Sequence, residues 1–396
     1  MPESTFVITP EICIPEFMVE EVQSKLAYVD EAIAGASVEP DGTQITITLK
    51  PSAVNPDLTH ISAKVQEVIK MMVKGVIKAR TQVLEDYLDR PVPGKSDPMG
   101  ELISLQEVSK EGRGIYTLGP LLTSLIEYFE KRFLELAESY SARPYRFPTL
   151  ISAKLLDRVN YFKAFPHSLS FVTHLREDLD NIDQFAQHTH WEGEALNTSK
   201  ESFSQIEALL SPAVCYHWYF ALADKQLKED HLVGTAVGNC FRYESSNLTS
   251  LERLWNFTMR EIIFIGHGDY VVEQREIGRQ RMTHILEECG LAYRVESAND
   301  PFFIGEFRKQ AAFQSAFQLK YEIRASLPFS GKTLAVGSYN YHQDFFGRHL
   351  NITLPDGSPI HTGCIAFGLE RIAYAFLSQY GLEKTNWPLA VREGIR

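Results

Sequence analysis

The 396-residue sequence contains no run of 18 apolar residues, so it predicts no membrane-spanning helix. Its first residues lack a basic segment followed by an apolar stretch, so we expect no signal peptide. The five cysteines are scattered and odd in number, which argues against a disulfide framework and indicates a reduced, cytoplasmic protein. Fixed-period repeats and low-complexity tracts are also missing from the sequence, and its composition excludes collagen-like, coiled-coil and disordered classes.

The sequence also has fewer positively than negatively charged residues. The 39 Lys and Arg residues against 51 Asp and Glu residues give a net charge of −12, which argues against a general nucleic-acid coat protein. What is present is ordinary for a globular protein, with 44% apolar and 23% charged residues. The length predicts two or three domains.

A segment with three prolines and one glycine, residues 90–98, predicts a linker. We therefore expect a small α+β domain of unknown role at 1–95 and a larger domain at 96–396. In the small domain the pattern predicts strands at 6–8 and 43–49, a helix over 16–34, and a long helix capped by Asp57 and running towards Tyr87. This long helix carries basic residues that form either a docking face or an ordinary solvated face, namely Lys64, Lys70, Lys74, Lys78 and Arg80.

The larger domain alternates helices with short strands. Helices are predicted at 122–139, 271–290 and 369–380, and strands at 240–243, 260–265, 320–325 and 333–336. This pattern favours an α+β fold in which helices flank a mostly antiparallel sheet.

Two groups of residues in this domain could bind a nucleotide. Strand alternation places Arg242 and Glu244 on one face, where the guanidinium can grip a phosphate and the carboxylate can accept from an amine, while Phe257 can stack on a base. The same residues also fit an ordinary Arg–Glu pair over a buried Phe. Arg371, in the first turn of a helix, is unfavourable against the helix dipole unless it binds an anion, although it could simply be exposed or paired with Glu370.

In order along the chain, these motifs resemble the three motifs of class II aminoacyl-tRNA synthetases. The helix at 122–139 with Tyr145-Arg146-Phe147-Pro148 resembles motif one, Phe241-Arg242-Tyr243-Glu244 resembles motif two, and Phe367-Gly368-Leu369-Glu370-Arg371 resembles motif three. Further segments, residues 165–167, 210–216, 340–344 and 361–364, are similar to the amino acid:[carrier protein] ligases, truncated relatives of the zinc-dependent archaeal seryl-tRNA synthetases. The resemblance covers about residues 100–390 and does not extend to the N-terminal domain.

The resemblance implies a set of site residues. Cys215, Glu261 and Cys364 would hold Zn²⁺ with one coordination position open for the substrate amine, a donor set that is reasonable for zinc. For ATP the resemblance implies Arg242, Glu244, Arg253, Phe257 and Arg371, with Arg242 and Arg371 as the catalytic arginines, and for the amino acid it implies Asn340 and His342. Mg²⁺ would bridge the phosphates, but Ala335 stands where relatives often carry a metal-binding carboxylate, so Glu252 or Glu322 could replace it.

The implied reaction is ATP-dependent formation of an aminoacyl-adenylate from a small amino acid, followed by transfer. The acceptor favoured by the resemblance is the phosphopantetheine thiol of a carrier protein, docked near residues 178–205. A tRNA 3′ end or a small-molecule or peptide amine stays open as an alternative acceptor, and so does a catalytically silent paralogue that acts as a binding module. A homodimer formed through the motif-one helix is expected by analogy.

Overall fold

The computed structural model describes residues 4–53, 55–74, 81–193, 195–299 and 319–395. The N-terminal part forms a small unit whose three-stranded antiparallel sheet has the order β1-β3-β2. Its elements are β1 (Thr5–Ile8), α1 (Val19–Leu26), β2 (Ile33–Val38), β3 (Ile45–Leu49) and α2 (Leu58–Val73). Alternate residues of β3 are buried together with apolar residues of both helices, so this unit has a hydrophobic core of its own.

The helix expected over residues 16–34 is wrong in its second half. After α1 the helix does not continue. The Asp30 carboxylate accepts a hydrogen bond from the Ala32 N–H at 3.0 Å, which stabilises a tight turn of the chain. The residues that follow pair with β3 as strand β2. The expected cap of α2 is present, since the Asp57 side chain accepts from the His60 N–H at 2.9 Å.

The long helix expected to run towards Tyr87 ends at Val73, and Val83–Asp86 forms strand β4 of a second, larger sheet. The chain therefore leaves the small unit before residue 83, earlier than the boundary expected at 95. Of the basic residues expected on this helix, Lys78 and Arg80 lie outside the described residues.

Within the described residues the large sheet has eight strands in the order β4-β15-β16-β17-β18-β14-β13-β7, antiparallel except for β13 with β7. Its further strands are β7 (Arg143–Pro144), β13 (Leu232–Phe241), β14 (Asn256–Gly266), β15 (Tyr293–Ser297), β16 (Lys320–Leu327), β17 (Lys332–Gln343) and β18 (His361–Gly368). The expected α+β fold with a mainly antiparallel sheet is confirmed.

Three helices cover one face of this sheet, namely α4 (Pro120–Glu138), α9 (Gly268–Glu288) and α11 (Leu369–Tyr380). Phe133 of α4 stacks on Phe367 of β18 with ring centroids 3.8 Å apart, and Phe129 meets Phe376 of α11 edge to face. Because side chains alternate along a strand, the other residues of each strand point to the opposite face, where Ile263 and Ile265 of β14 belong to a second apolar cluster.

The remaining elements surround the large sheet. The strands are β5 (Val108–Gly112), β6 (Ile115–Leu118), β8 (Leu150–Ser152), β9 (Phe171–Val172), β10 (His190–Glu192), β11 (Ala195–Asn197) and β12 (Ala208–Leu210). The helices are α3 (Met99–Ser104), α5 (Ala153–Arg158), α6 (Tyr161–Ala164), α7 (Leu179–His188), α8 (Cys215–Ala221), α10 (Phe345–Leu350) and α12 (Leu389–Gly394). None of the helices in the described ranges is long and apolar enough to span a bilayer.

Candidate active site

A cavity of about 1030 Å³ lies on the face of the large sheet opposite helices α4, α9 and α11. Its floor includes Glu261 of β14, Asn340 of β17 and Cys364 of β18, whose strand neighbours Ile262 and Ile365 point to the helix-covered core. The alternation of strand side chains thus separates a packed face from a functional face. Cys215, the first residue of α8, reaches the same floor from outside the sheet.

The three residues expected to hold a metal come together in this cavity. Cys215, Glu261 and Cys364 each offer a ligand atom, and these atoms all lie within 4.8 Å of one another. Glu261 and Cys364 occupy adjacent strands, because Cys364 pairs with Ile263 and therefore lies diagonal to Glu261 on the same face. All three side chains are buried, and they form the one such cluster found among the described residues.

The contacts of this cluster fit a cation. One carboxylate oxygen of Glu261 accepts the Val214 N–H at 3.1 Å, whereas the buried Oε2 has no hydrogen-bond partner. Burial raises the pKa of the Cys215 thiol and of the Glu261 carboxyl. For Cys364 the contact with Cys215 opposes burial, and the net pKa is also raised. Two thiolates and a carboxylate are a zinc donor set, and bound zinc would compensate this buried negative charge.

The two residues expected to bind the amino acid lie beside the cluster. Asn340 places its Nδ2 at 3.4 Å from the Cys364 Sγ and donates to the Ser338 hydroxyl at 2.9 Å. His342 also lines the cavity, with its Nδ1 at 3.0 Å from the Thr362 Oγ1. Both side chains are thus fixed by neighbours at the edge of the cluster.

The residues expected to bind ATP lie at the other end of the cavity. The expectation that Arg242 and Glu244 lie within a strand is wrong, because β13 ends at Phe241. The Tyr243 N–H bonds to the Ser168 carbonyl at 3.0 Å, which draws the chain away from β14 into a loop. Arg242 nevertheless reaches Phe257, with its guanidinium carbon 5.5 Å from the ring centroid.

Glu244 forms an ion pair with Arg253 across this loop. Burial opposes ionisation of Glu244, but Arg253, Arg371 and Arg242 outweigh it, so its pKa lies below the usual value. The carboxylate is thus charged and held among cations, where it can exchange Arg253 for another hydrogen-bond donor.

Arg371 lies in the first turn of α11 and donates to the Ala335 carbonyl at 3.4 Å. Burial lowers its pKa, and the charge of Glu244 opposes that effect. The alternative of a pair with Glu370 does not occur, since both carboxylate oxygens of Glu370 lie 2.8 Å from the Thr258 N–H, whose hydrogen bond they accept. This buried anchor between β14 and α11 was not predicted from the sequence.

The carboxylates considered as replacements at the Ala335 position differ in their surroundings. Glu322 lies between Lys320 and Arg324, at 3.1 and 3.0 Å. Burial opposes ionisation of Glu322, but these two cations prevail and hold its pKa below the usual value. Neither Glu322 nor Glu252 belongs to a metal-ligand cluster in the described part of the chain.

A second set of cavity residues was missed because it comes from the small unit. Ser24, Lys25 and Tyr28, at the end of α1 and just beyond it, line the cavity next to Glu244. Nothing in the sequence pattern connects a helix near residue 25 with a loop more than 200 residues away.

Comparison with known proteins identifies the class of the molecule. Residues 201–380 match the family model described as the tRNA synthetase class II core domain (G, H, P, S and T). The fold is similar to that of a SerRS from M. kandleri, solved in complex with A. aeolicus tRNASec. The TM-score is 0.72 at 22% identity, covering 99% of this chain and 77% of that one. Fold and cavity together define a class II synthetase-like enzyme.

The relatives narrow this class to one family. An amino acid–[acyl-carrier-protein] ligase of Bradyrhizobium diazoefficiens is 33% identical over 76% of this chain and 90% of its own length. A type-2 serine–tRNA ligase of Methanothermobacter thermautotrophicus is 24% identical over 94% of this chain and 74% of its own length. The chain belongs to the amino acid–[acyl-carrier-protein] ligase family, as its motifs predict, and it is a ligase.

Proposed function

We propose that this chain activates a small amino acid with ATP and transfers the aminoacyl group to the phosphopantetheine thiol of a carrier protein. The observation that carries the proposal is the position of the Cys215, Glu261 and Cys364 cluster in the same cavity as Arg242 and Glu244. A site for the amine and a site for the nucleotide within one cavity are what adenylate formation needs.

The two cysteines and the glutamate would hold Zn²⁺, which would supply a Lewis-acid position for the α-amine of the substrate. The unpartnered Glu261 oxygen supports this assignment. Asn340, at 3.4 Å from the Cys364 sulfur, orients that ligand, and with His342 it would fix the amino acid beside the cluster.

The first step joins the carboxylate of the amino acid to the α-phosphorus of ATP. The bond from this phosphorus to the bridging oxygen of the β-phosphate breaks, and pyrophosphate leaves with the electron pair. Arg242 stabilises the charge that develops on the α-phosphate. Phe257 stacks on the adenine ring, and Glu244 accepts a hydrogen bond from the adenine amino group. Arg371 and Arg253 would hold the terminal phosphates, for which Arg253 leaves Glu244. Mg²⁺ would arrive with the nucleotide.

The second step is attack of the acceptor thiolate on the carbonyl of the adenylate, which forms a thioester and releases AMP. The carrier is proposed from the names of the relatives, and residues 178–205 remain the proposed docking region. This region contains α7 and the β10–β11 hairpin, with Leu179 and Trp191 strongly exposed. We further propose a homodimer in which α4 lies near the two-fold axis, which light scattering on the purified protein would test.

The experiment that tests this function supplies several acceptors to one labelled amino acid. Zinc-loaded protein, ATP and labelled glycine or alanine are incubated with a holo carrier protein, with the same carrier lacking phosphopantetheine, and with total tRNA. We expect label on the holo carrier alone, as a thioester released by neutral hydroxylamine. Label on tRNA alone would show that tRNA, not the carrier protein, is the acceptor. If no acceptor is labelled and no pyrophosphate exchange occurs, a catalytically silent paralogue is favoured.

A further inference from the structure

The loop between β13 and β14, residues 242–255, carries a group of residues proposed to bind ATP, namely Arg242, Glu244 and Arg253. Its second half is held by the β5–β6 hairpin of the catalytic part. The Trp255 N–H donates to the Gly114 carbonyl at 2.9 Å. The Tyr116 hydroxyl donates to the Thr249 carbonyl at 3.2 Å. These contacts fix the second half of the loop but do not involve the residues next to Glu244.

The first half of this loop is attached to the small unit. Asn247 donates its Nδ2 to the Ser24 carbonyl at 3.2 Å. The Ser245 hydroxyl donates to the Ala27 carbonyl at 3.4 Å. Both carbonyls lie at the end of α1, where the last carbonyl groups of a helix lack a partner within the helix. The loop therefore completes the end of a helix that lies more than 200 residues away in the sequence.

Tyr28 reaches in the opposite direction, from the small unit into the loop. Its hydroxyl donates to the Tyr243 carbonyl at 3.2 Å. Its ring packs edge to face on His167, with the ring centroids 5.1 Å apart, so the hydroxyl is held in place from behind. The Tyr243 carbonyl belongs to the peptide group that leads into Glu244. The small unit therefore fixes the backbone immediately before this carboxylate.

The backbone immediately after Glu244 has a conformation that is rare for its residue type. Ser245 has a φ of 52°, in the left-handed region that residues with a side chain seldom occupy. Its hydroxyl contact with Ala27 stabilises this turn from the small unit. Glu244, which lines the cavity, thus lies between two contacts with the small unit, one on each side of it in the chain.

We propose that the N-terminal unit is part of the nucleotide site and that Tyr28 is a positioning residue, which holds the loop so that Glu244 faces the amino group of adenine. This inference rests on the proposed function, in which Glu244 accepts a hydrogen bond from that amino group. Tyr28 acts through the Tyr243 carbonyl, and Ser245 acts through Ala27. Because these contacts fix a direction and not a charge, their loss changes the choice of base more than the binding of the phosphates.

The test compares the binding of ATP with that of inosine triphosphate, which carries a carbonyl oxygen where adenine has the amine. Dissociation constants are measured by titration calorimetry on the full-length protein. Magnesium is present and amino acid is left out, so that no adenylate forms. A hydrogen bond to a charged acceptor corresponds to a preference of about 10-fold or more for ATP in the unaltered protein.

Two variants each remove one hydroxyl, from opposite sides of the contact. Tyr28→Phe keeps the ring beside His167, and we expect its preference for ATP to fall to about 3-fold or less. Ser245→Ala should lower the preference to a smaller extent, because its hydrogen bond to Ala27 is longer. Ser245 is not among the described residues that line the cavity, so its effect cannot come from contact with the base. The matched control is Tyr140→Phe, which loses a hydroxyl that donates to a backbone carbonyl at 3.1 Å elsewhere and should keep the full preference.

Combination with Glu244→Ala shows whether Tyr28 acts through Glu244. Glu244→Ala should lose the preference, and Tyr28→Phe added to it should change the ratio no further. A further change in the double variant would mean that Tyr28 contacts the base itself, which overturns the proposal. Equal weakening of both nucleotides in Tyr28→Phe overturns it as well, and so does an unchanged preference. Pyrophosphate exchange that is missing from a protein that binds ATP selectively would contradict the proposed function instead, while the binding data still decide this inference.

Discussion

Three residues decide the chemistry proposed for this enzyme. Cys215, Glu261 and Cys364 are separated by 46 and 103 positions, yet their ligand atoms lie within 4.8 Å of one another. Each side chain alone would be an ordinary buried residue. In their ionised forms they would concentrate negative charge in a buried site, which is unfavourable without a cation.

Replacement of one ligand should therefore remove the metal without unfolding the nucleotide site. For Cys215→Ala we expect zinc content, measured by plasma mass spectrometry, to fall from about one ion per chain to a small fraction of that. Binding of ATP should be largely retained, since Arg242 and Glu244 lie at the other end of the cavity. Cys289→Ala, which alters a buried cysteine in the core under the helices, should keep its zinc. Equal zinc in both variants would show that the cluster is not the metal site.

At the scale of elements, the site depends on how β14 and α11 are joined. Glu370 is buried at the start of α11, and its carboxylate accepts the backbone N–H of Thr258, the residue after Phe257. This contact sets the stacking ring and Arg371 at a fixed separation. Two elements more than 100 residues apart in sequence are thus connected at the nucleotide end.

Removal of this acceptor leaves a backbone donor unsatisfied. Glu370→Ala should lower the free energy of unfolding by about 1–3 kcal/mol, because the Thr258 N–H loses its partner in a poorly hydrated place. The control is Glu370→Gln, which keeps a carbonyl oxygen and should lose clearly less. Urea unfolding of the three proteins measures the difference, and identical midpoints would rule out the anchoring role.

The sequence predicts helices and strands correctly where the apolar pattern is strong. The prediction is wrong where contacts with a distant part of the chain determine the structure. Helix α11 has the expected bounds, 369–380, because its apolar positions repeat over three turns and a glycine precedes them. The helix expected over 16–34 instead ends at Leu26, because residues 33–38 pair with β3 as a strand. The metal residues followed from the family resemblance, since their spacing carries no signal. Lys25 had neither signal, because long-range packing alone brings it to the cavity.

At the scale of the whole molecule, the small unit and the catalytic part meet around His167. Its ring lies edge to face with that of Tyr28, at 5.1 Å between centroids. Burial, assisted by the nearby charge of Lys25 and opposed by Glu244, lowers the pKa of His167 to about 4. The contact between the two parts therefore favours the neutral form of the His167 imidazole.

This depressed pKa makes the stability of the protein depend on pH. Between pH 6.5 and 4 the unfolded chain binds a proton at His167 that the folded protein does not, so the free energy of unfolding decreases as pH falls through this window. Allowing for partial exposure, we expect about 1 kcal/mol of the loss between pH 7 and pH 5 to come from His167. His167→Phe should remove this share, whereas His284→Gln, at an exposed histidine, should not. Urea unfolding at the two pH values tests this, and equal losses in all three proteins would contradict it.

The measurement that tests the central claim most directly is amino-acid-dependent exchange of pyrophosphate into ATP, with the same protein preparation before and after zinc removal. We predict exchange with glycine or alanine in the zinc-loaded protein, near-complete loss after chelation, and recovery when zinc is restored. Exchange that continues undiminished in the metal-free protein would show that the clustered thiols and carboxylate do not capture the substrate amine.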